Sequence, residues 1–278
     1  MSLKKENPIN VGVIFDQEVE SGGGFQQGLN AAYLASEIDH ALVKVHFFHT
    51  KRGSKKILLK HGIDSKFIKL SFLKKIYLFI KTTAKLRVYY QLIRPFLDFN
   101  FFESFLKNED INLVYFISPS RFALDLVELN FIYTVWDLCH RDNPEFPESK
   151  IKGEFENREL RLNFSSKKAV SIIVDSKYSK SNLSKKYNIE TNRIEVIPFE
   201  SLKDIKDGKF SNKKLIDINQ KYHIDNQFIF YPAQFWPHKN HVFILNSLKK
   251  LEVEFGIIIS AVFSGSNQGN LNYIRDYA

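Results

Sequence analysis

A single cysteine, Cys139, stands in 278 residues, which excludes an intrachain disulfide and any cysteine-rich zinc site. Such cysteine usage suits a reducing, cytoplasmic setting. Long apolar runs are also missing. In the middle of the chain the longest charge-free one is IYLFI, far short of a membrane span, so no crossing of a membrane is expected. The start, MSLKKENPIN, carries two lysines with no apolar stretch behind them, and no signal peptide is expected. Short-period repeats and low-complexity tracts are absent. Acids are scarce in one region. Between Lys44 and Lys107 fifteen Lys and Arg stand against three acids, Asp64, Asp98 and Glu103. With a net charge of +9 for the whole chain, the remainder is slightly acidic. The basic region is either a solvated face or a surface for an anionic membrane or a polyanionic partner. No nucleic-acid-binding motif accompanies it, so nucleic acid is not expected as a partner.

Core material, by contrast, is plentiful. Twenty-six Phe, twelve Tyr, 44% hydrophobic and 26% charged residues describe a soluble globular chain with room for one large or two ordinary domains. Short β-branched or aromatic runs alternate with helix-length segments. INVGVIF is followed by FQQGLNAAYLASEI, with Phe25, Leu29, Ala32 and Ser36 along one face. Then come VKVHFFH, a basic helical tract, KFIKLS and a long helical stretch around 72–97. INLVYFIS, NFIYTVW, a helix around 150–167, SIIVDS, a helix from Ser176 to Tyr187 and RIEVIPF complete the series. This alternation predicts an α/β fold with a doubly wound parallel sheet over residues 1–200, and Ser176 is placed to cap its helix. Residues 201–225 are polar and lysine-rich and read as an interdomain linker. A new series, QFIFYPA, HVFILNSLKKL and GIIISAVFSG, fills 226–278. One β-α-β unit leaves open edges, so this part is expected to be the opening portion of a second Rossmann-like domain.

Three stretches carry chemistry. In DQEVESGGGFQQG, between the first strand and the first helix, glycines let a backbone approach a ligand, and the helix N-terminus favours an anion. Counting from Gly22, the third glycine of a dinucleotide fingerprint would fall at Gln27, and no Gly-Lys-Ser/Thr ending makes a P-loop. The loop is either a flexible connection or an anion-facing one. YTVWDLCHRDNPEFPES gathers Asp137, His140, Arg141, Asp142, Glu145 and Glu148 behind a strand, where α/β sheets bind ligands. His140 could move protons near neutral pH and Arg141 could bind phosphate or carboxylate. The alternative is a proline-rich loop pinned by Asp137 bonding its own backbone. No fixed ligand spacing supports a metal. In FWPHKNH, Lys239 sits just before a helix beginning near Asn240, a sound arrangement for a diphosphate, whereas His238 and His241 alone rarely bind metal.

Together, SGGGFQQGLN, WDLCHRDNPEFPE, SIIVDSKYSKSNLSKKYNIETNRIEVIPF and FIFYPAQFWPHKNH resemble, in that order, the family-4 retaining glycosyltransferases of bacterial surface-polysaccharide type. The resemblance covers nearly the whole chain and is weakest across 40–110. It implies a GT-B fold of two Rossmann-like domains and transfer of a hexose, with retention, from a nucleotide-sugar donor to a glycan or lipid-linked acceptor. It implies no metal and no cofactor. By position, Gly22, Gly23 and Gly24 would face the sugar phosphate in the family's cleft, Lys239 would grip the donor diphosphate, and Asp137 and His140 would be catalytic. Phe25, Arg141, Ser176 and Asn240 are further substrate-binding expectations. A lipid-linked acceptor gives region 44–107 a role in peripheral contact with anionic lipid at the inner face of the cell membrane. The chain departs from the family in Trp136, where many members have histidine, and in Gln234, where an arginine is usual. The family's glutamate-bearing motif has no counterpart within 278 residues. The alternative expectation is therefore an inactive or split enzyme needing a complementing C-terminal fragment.

Overall fold

The computed structural model describes residues 8–17, 23–38, 41–199, 221–222 and 227–278. Met1–Asp142 with Lys152–Asp207 form one compact unit, and Asn143–Ile151 with Gly208–Ala278 form a second. Gly22 and, apart from Lys221 and Tyr222, the linker expected over 201–225 lie outside the described residues.

The first unit is built on seven strands: β1 (Ile9–Phe15), β2 (Val43–His49), β3 (Lys66–Phe67), β4 (Leu113–Phe116), β5 (Asn130–Thr134), β6 (Ser171–Val174) and β7 (Ile194–Val196). Their order is β3-β2-β1-β4-β5-β6-β7 and every pairing is parallel. Parallel neighbours need crossovers, which the helices supply: α1 (Gly23–Ser36), α2 (Ser54–Lys60), α3 (Phe72–Thr82), α4 (Arg87–Ile93), α5 (Phe101–Lys107), α6 (Cys139–Asp142), α7 (Glu154–Lys168) and α8 (Lys177–Tyr187). Side chains alternate across a strand, so β1 sends Val13 and Phe15 to a core under α1 and α2, and Ile14 to the other face. That second core joins Phe102, Val114, Phe116, Phe131, Tyr133 and Ile172. The sheet is therefore covered on both faces, as its apolar runs predict.

One expected element breaks. The helical stretch read over 72–97 ends at Thr82, and Thr83 takes an extended conformation (φ −105°, ψ 123°) before α4 begins. The cause lies outside the segment. Ala84 N donates to Asn157 of α7 at 2.9 Å instead of to a helical carbonyl. Lys81, 4% exposed, reaches Asp125 at 2.7 Å and Asn100 at 2.6 Å, which ties the end of α3 to the rest of the unit.

The second unit contains β8 (Phe228–Tyr231), α9 (His241–Phe255), β9 (Ser260–Phe263) and α10 (Leu271–Tyr277), with β8 and β9 parallel. The loops after the two strands touch backbone to backbone. A β-carbon on Gly265 would lie 2.2 Å from the carbonyl oxygen of Ala233, and Phe235 N donates to Ser266 O at 3.0 Å. Only glycine permits that approach. Among the described residues no helix is long and apolar enough to cross a membrane.

Candidate functional site

In the first unit the strand order reverses between β1 and β4, and the carboxyl ends of these strands define the crevice where such sheets bind ligands. Asp16 follows β1 directly. Its carboxylate accepts the Thr50 hydroxyl from the end of β2 and the Ser120 hydroxyl, at 2.8 Å, from the loop after β4. Burial raises its pKa against the pull of those two hydrogen bonds and of nearby Lys51 and Arg121.

The glycine loop enters α1 beside the next strand end. A β-carbon on Gly24 would stand 2.7 Å from the Trp136 ring, whereas one on Gly23 would meet nothing within 4 Å among the described residues. Gly24 is thus packed closely against the indole. Phe25 goes into the core, 4% exposed, edge-on to Phe15 with ring centroids 5.8 Å apart.

Asp137 follows Trp136. It accepts from the backbone N of Cys139 at 2.9 Å and from Arg158 of α7 at 2.6 Å. Burial raises its pKa, but the Arg158 charge and the two hydrogen bonds outweigh that and hold the carboxyl below its usual range. Arg158 also binds Glu154 at 3.0 Å, and Arg161 binds Glu154 at 2.9 Å. These side chains and Trp136 line a cavity of about 190 Å³ floored by Tyr133. It presents two carboxylates, Asp137 and Glu154, and two guanidinium groups paired with them, a polar lining suited to hydroxyls.

His140 lies elsewhere. Its ring is 0% exposed, and Nε2 approaches the Glu159 carboxylate at 2.8 Å and the Tyr187 hydroxyl at 3.2 Å. Burial lowers its pKa, so the neutral ring donates from Nε2 to Glu159. Arg141 binds both oxygens of Glu159 and stacks its guanidinium 4.6 Å from the Tyr187 ring centroid. His140 and Arg141 therefore come together on Glu159 and pin the segment after β5, away from the Asp137 cavity. Asp142 binds Lys186 and Asn182. Ser176 caps α8, accepting from Ser179 N at 3.1 Å.

In the second unit Lys239 ends a single turn, Pro237–Lys239, and Asn240 (φ 48°) caps α9 by accepting from Phe243 N at 3.2 Å. Lys239 is exposed just ahead of that helix N-terminus. The flanking histidines have other tasks. His238 Nδ1 contacts Glu148, and His241 is 0% exposed, stacked on Phe235 at 4.8 Å. Among the described residues no three His, Cys, Asp or Glu side chains gather as a metal site.

Sequence reading misses Asp16, Glu154, Arg158, Arg161 and Glu159. Glu154 and Arg158 carry an i,i+4 spacing, but nothing local shows that Arg158 turns towards Asp137.

No family profile and no curated protein sequence matches the chain. Solved structures do. HepE of Anabaena in complex with UDP matches with a TM-score of 0.54 at 14% identity over 96% of this chain and 64% of its own. The UDP co-structure of MnaA from S. aureus matches with a TM-score of 0.55 at 16% identity over 97% and 64%. A candidate UDP-N-acetylglucosamine 2-epimerase of Listeria monocytogenes matches with a TM-score of 0.57 at 14% identity over 98% and 66%. The chain thus spans slightly less than two thirds of the length of these structures. The likeness is one of fold: an α/β, GT-B-like architecture.

Proposed function

We propose that this chain is a glycosyltransferase, or the N-terminal portion of one, that transfers a hexose from a nucleotide-diphosphate sugar to a glycan or lipid-linked acceptor with retention and without a metal. The observation that carries this is the placement of Lys239, exposed between β8 and the capped N-terminus of α9. A lysine charge added to free helix N–H groups suits the diphosphate of a donor and the negative charge that grows on it as the sugar departs. The GT-B-like fold, shared with two structures that hold UDP, supports the same donor class.

In this scheme Gly22, Gly23 and Gly24 bring backbone close to the sugar phosphate, and Asn240 adds the cap that orders the helix start. Asp137, held ionised by Arg158, takes a sugar or acceptor hydroxyl. His140 and Arg141 act as positioning residues through Glu159, and Ser176 through its cap. Peripheral attachment to anionic lipid at the inner membrane face draws support from Phe72 (76% exposed), Leu73 and Phe96 beside Lys74, Lys75 and Arg94.

The test is calorimetric titration of the chain with UDP, GDP and their hexose conjugates. One nucleotide series should bind, and Lys239→Ala should weaken it by roughly tenfold or more, the loss of a charge-assisted contact. Binding that ignores Lys239, or no nucleotide binding in any form of the protein, would sink the proposal.

A second reading has its own observation. Phe230 of β8, Phe243, Val253 and Phe255 of α9, and Ile258 are all more than half exposed in the second unit. Such a surface fits a complementing polypeptide that adds strands and helices, the chain alone being catalytically silent. Limited proteolysis decides: cleavage after residue 226 should dominate and should stop when the complementing fragment is present. Equal cleavage with and without it removes this reading.

A further inference from the structure

A second cavity, of about 440 Å³, opens at the carboxyl ends of β1, β2, β3 and β4 in the first unit and shares no lining residue with the Asp137 cavity. Its size falls in the range of about 300–1,000 Å³ that holds small-molecule ligands. Its lining divides by chemistry. One part is polar, with Thr50, Lys51 and Arg121 grouped about the Asp16 carboxylate. The rest is largely apolar: Ile68, Leu70, Ile76, Leu78, Phe79 and Phe122.

The charges of the polar part answer one another. Burial raises the pKa of Asp16, while hydrogen bonds from Thr50 and Ser120 and the charges of Lys51 and Arg121 favour its ionised form. An anionic head would be set against this carboxylate, and a cationic head against Lys51 and Arg121. A neutral hydroxyl meets neither opposition. It donates to a carboxylate, whose oxygens offer about four lone pairs, and accepts from a guanidinium N–H. Thr50 and Ser120 take one position on each Asp16 oxygen, which leaves room for such a donor. The apolar wall is the part that water serves badly. Ile76 and Phe79 are 41% and 50% exposed on α3, and covering them with an apolar group stabilises a complex. The Arg121 guanidinium sits 5.9 Å from the Phe79 ring centroid, where the polar and apolar parts of the lining meet. A free sugar would leave the wall wet, and a plain hydrocarbon would strip water from the polar groups without replacing it.

We propose that this cavity binds one neutral amphiphile, with a hydroxyl-bearing head at Asp16, Thr50 and Arg121 and an alkyl tail against Ile68, Ile76 and Phe79. The inference stands on the first unit alone, and no nucleotide enters its test, so its failure is distinct from failure of the nucleotide-sugar proposal.

The full chain is titrated calorimetrically with octyl β-glucoside, octyl phosphate and octyltrimethylammonium, each at monomeric concentrations, and with glucose. Octyl β-glucoside should bind at least roughly tenfold tighter than each of the other three. Ile76→Glu sets a carboxylate against the tail and should weaken it by about tenfold or more. Asp16→Asn removes the charge that answers Lys51 and Arg121, and should shift the preference towards octyl phosphate by roughly tenfold or more. Circular dichroism melts confirm that each variant is folded. Should Asp16→Asn not fold, the ligand series on the parent and on Ile76→Glu decides. Competition then distinguishes the source of the amphiphile. Displacement of octyl β-glucoside by phosphatidylcholine vesicles carrying monooleoylglycerol, and not by phosphatidylcholine alone, assigns it to a membrane lipid. Retention against both assigns it to a soluble compound. The proposal is overturned if octyl phosphate, octyltrimethylammonium or glucose binds the parent as tightly as octyl β-glucoside. It is overturned equally if folded Ile76→Glu protein binds octyl β-glucoside like the parent, or if folded Asp16→Asn protein keeps the parent's preference.

Discussion

Gly24, at the start of α1, lies against Trp136, at the end of β5: a β-carbon on Gly24 would stand 2.7 Å from Cζ3 and 2.8 Å from Cη2 of the indole. More than a hundred residues separate them in sequence. The missing side chain leaves the indole its place directly before Asp137. Gly24→Ala should therefore force the indole aside at a cost of about 1–3 kcal/mol, the usual range for overpacking. Replacing Trp136 with Leu in the same protein should recover a large part of that loss. Urea unfolding of both single variants and the double variant measures the coupling, and purely additive effects would refute the contact.

Lys81 and Asp125 form a buried ion pair at 2.7 Å, with side chains 5% and 0% exposed. Lys81→Met leaves the Asp125 carboxylate without its counter-charge and should cost about 3–5 kcal/mol. Adding Asp125→Leu removes the stranded charge, so the double variant should be more stable than Lys81→Met alone. Denaturant midpoints report this directly. A double variant less stable than the single one contradicts it.

Glu159 should make the protein sensitive to acid. Hydrogen bonds from Arg141, with smaller ones from Tyr187 and His140, outweigh burial and pull its pKa from 4.5 down to about 2. A carboxylate with a depressed folded pKa contributes stability above its unfolded pKa and loses it as pH falls towards the folded one. That contribution, roughly 2 kcal/mol after solvent screening, should fade between about pH 4.5 and 2. Glu159→Gln should lower stability at pH 7 and flatten the stability profile across that window. An unchanged slope there would remove the role assigned to Glu159.

Cys139 should react slowly although it is exposed. Burial of the sulfur and the neighbouring Asp137 carboxylate push the thiol up to about 11. At pH 8 its thiolate fraction is then on the order of a hundredfold below that of a free cysteine. As the sole cysteine it gives a clean signal with a disulfide reagent. Asp137→Asn should speed the reaction, and a parent rate equal to that of free cysteine would contradict the assignment.

The periodicity of the chain contained much of its local structure. INVGVIF and SIIVDS became parallel strands because β-branched and aromatic runs fit a sheet covered on both faces, and FIFYPA became a strand paired in parallel with β9. Ser176 was legible as a cap, and the helix start near Asn240 as a start, because a helix N-terminus depends on its own residue and the next turn. The glycine loop and Lys239 could be placed at strand-to-helix junctions for the same reason.

What depended on distant partners was not legible. His140 looked like a proton-transfer group, but its environment is set by Glu159 and Tyr187, 19 and 47 residues away, which bury it. The long helix over 72–97 obeyed its local pattern until Thr83, where Asn157 took the backbone N–H of Ala84. Asp16 drew no attention beside the glycines, because Ser120 and Thr50 reach it only once β1 lies between β2 and β4. Local propensity and hydrophobic period act over a few residues, and those the sequence determined by itself: strands, helices, caps and the α/β class. Strand order, burial and charge pairing arise when residues far apart are packed together, and only the tertiary structure decided those, along with the cavities that carry the candidate chemistry.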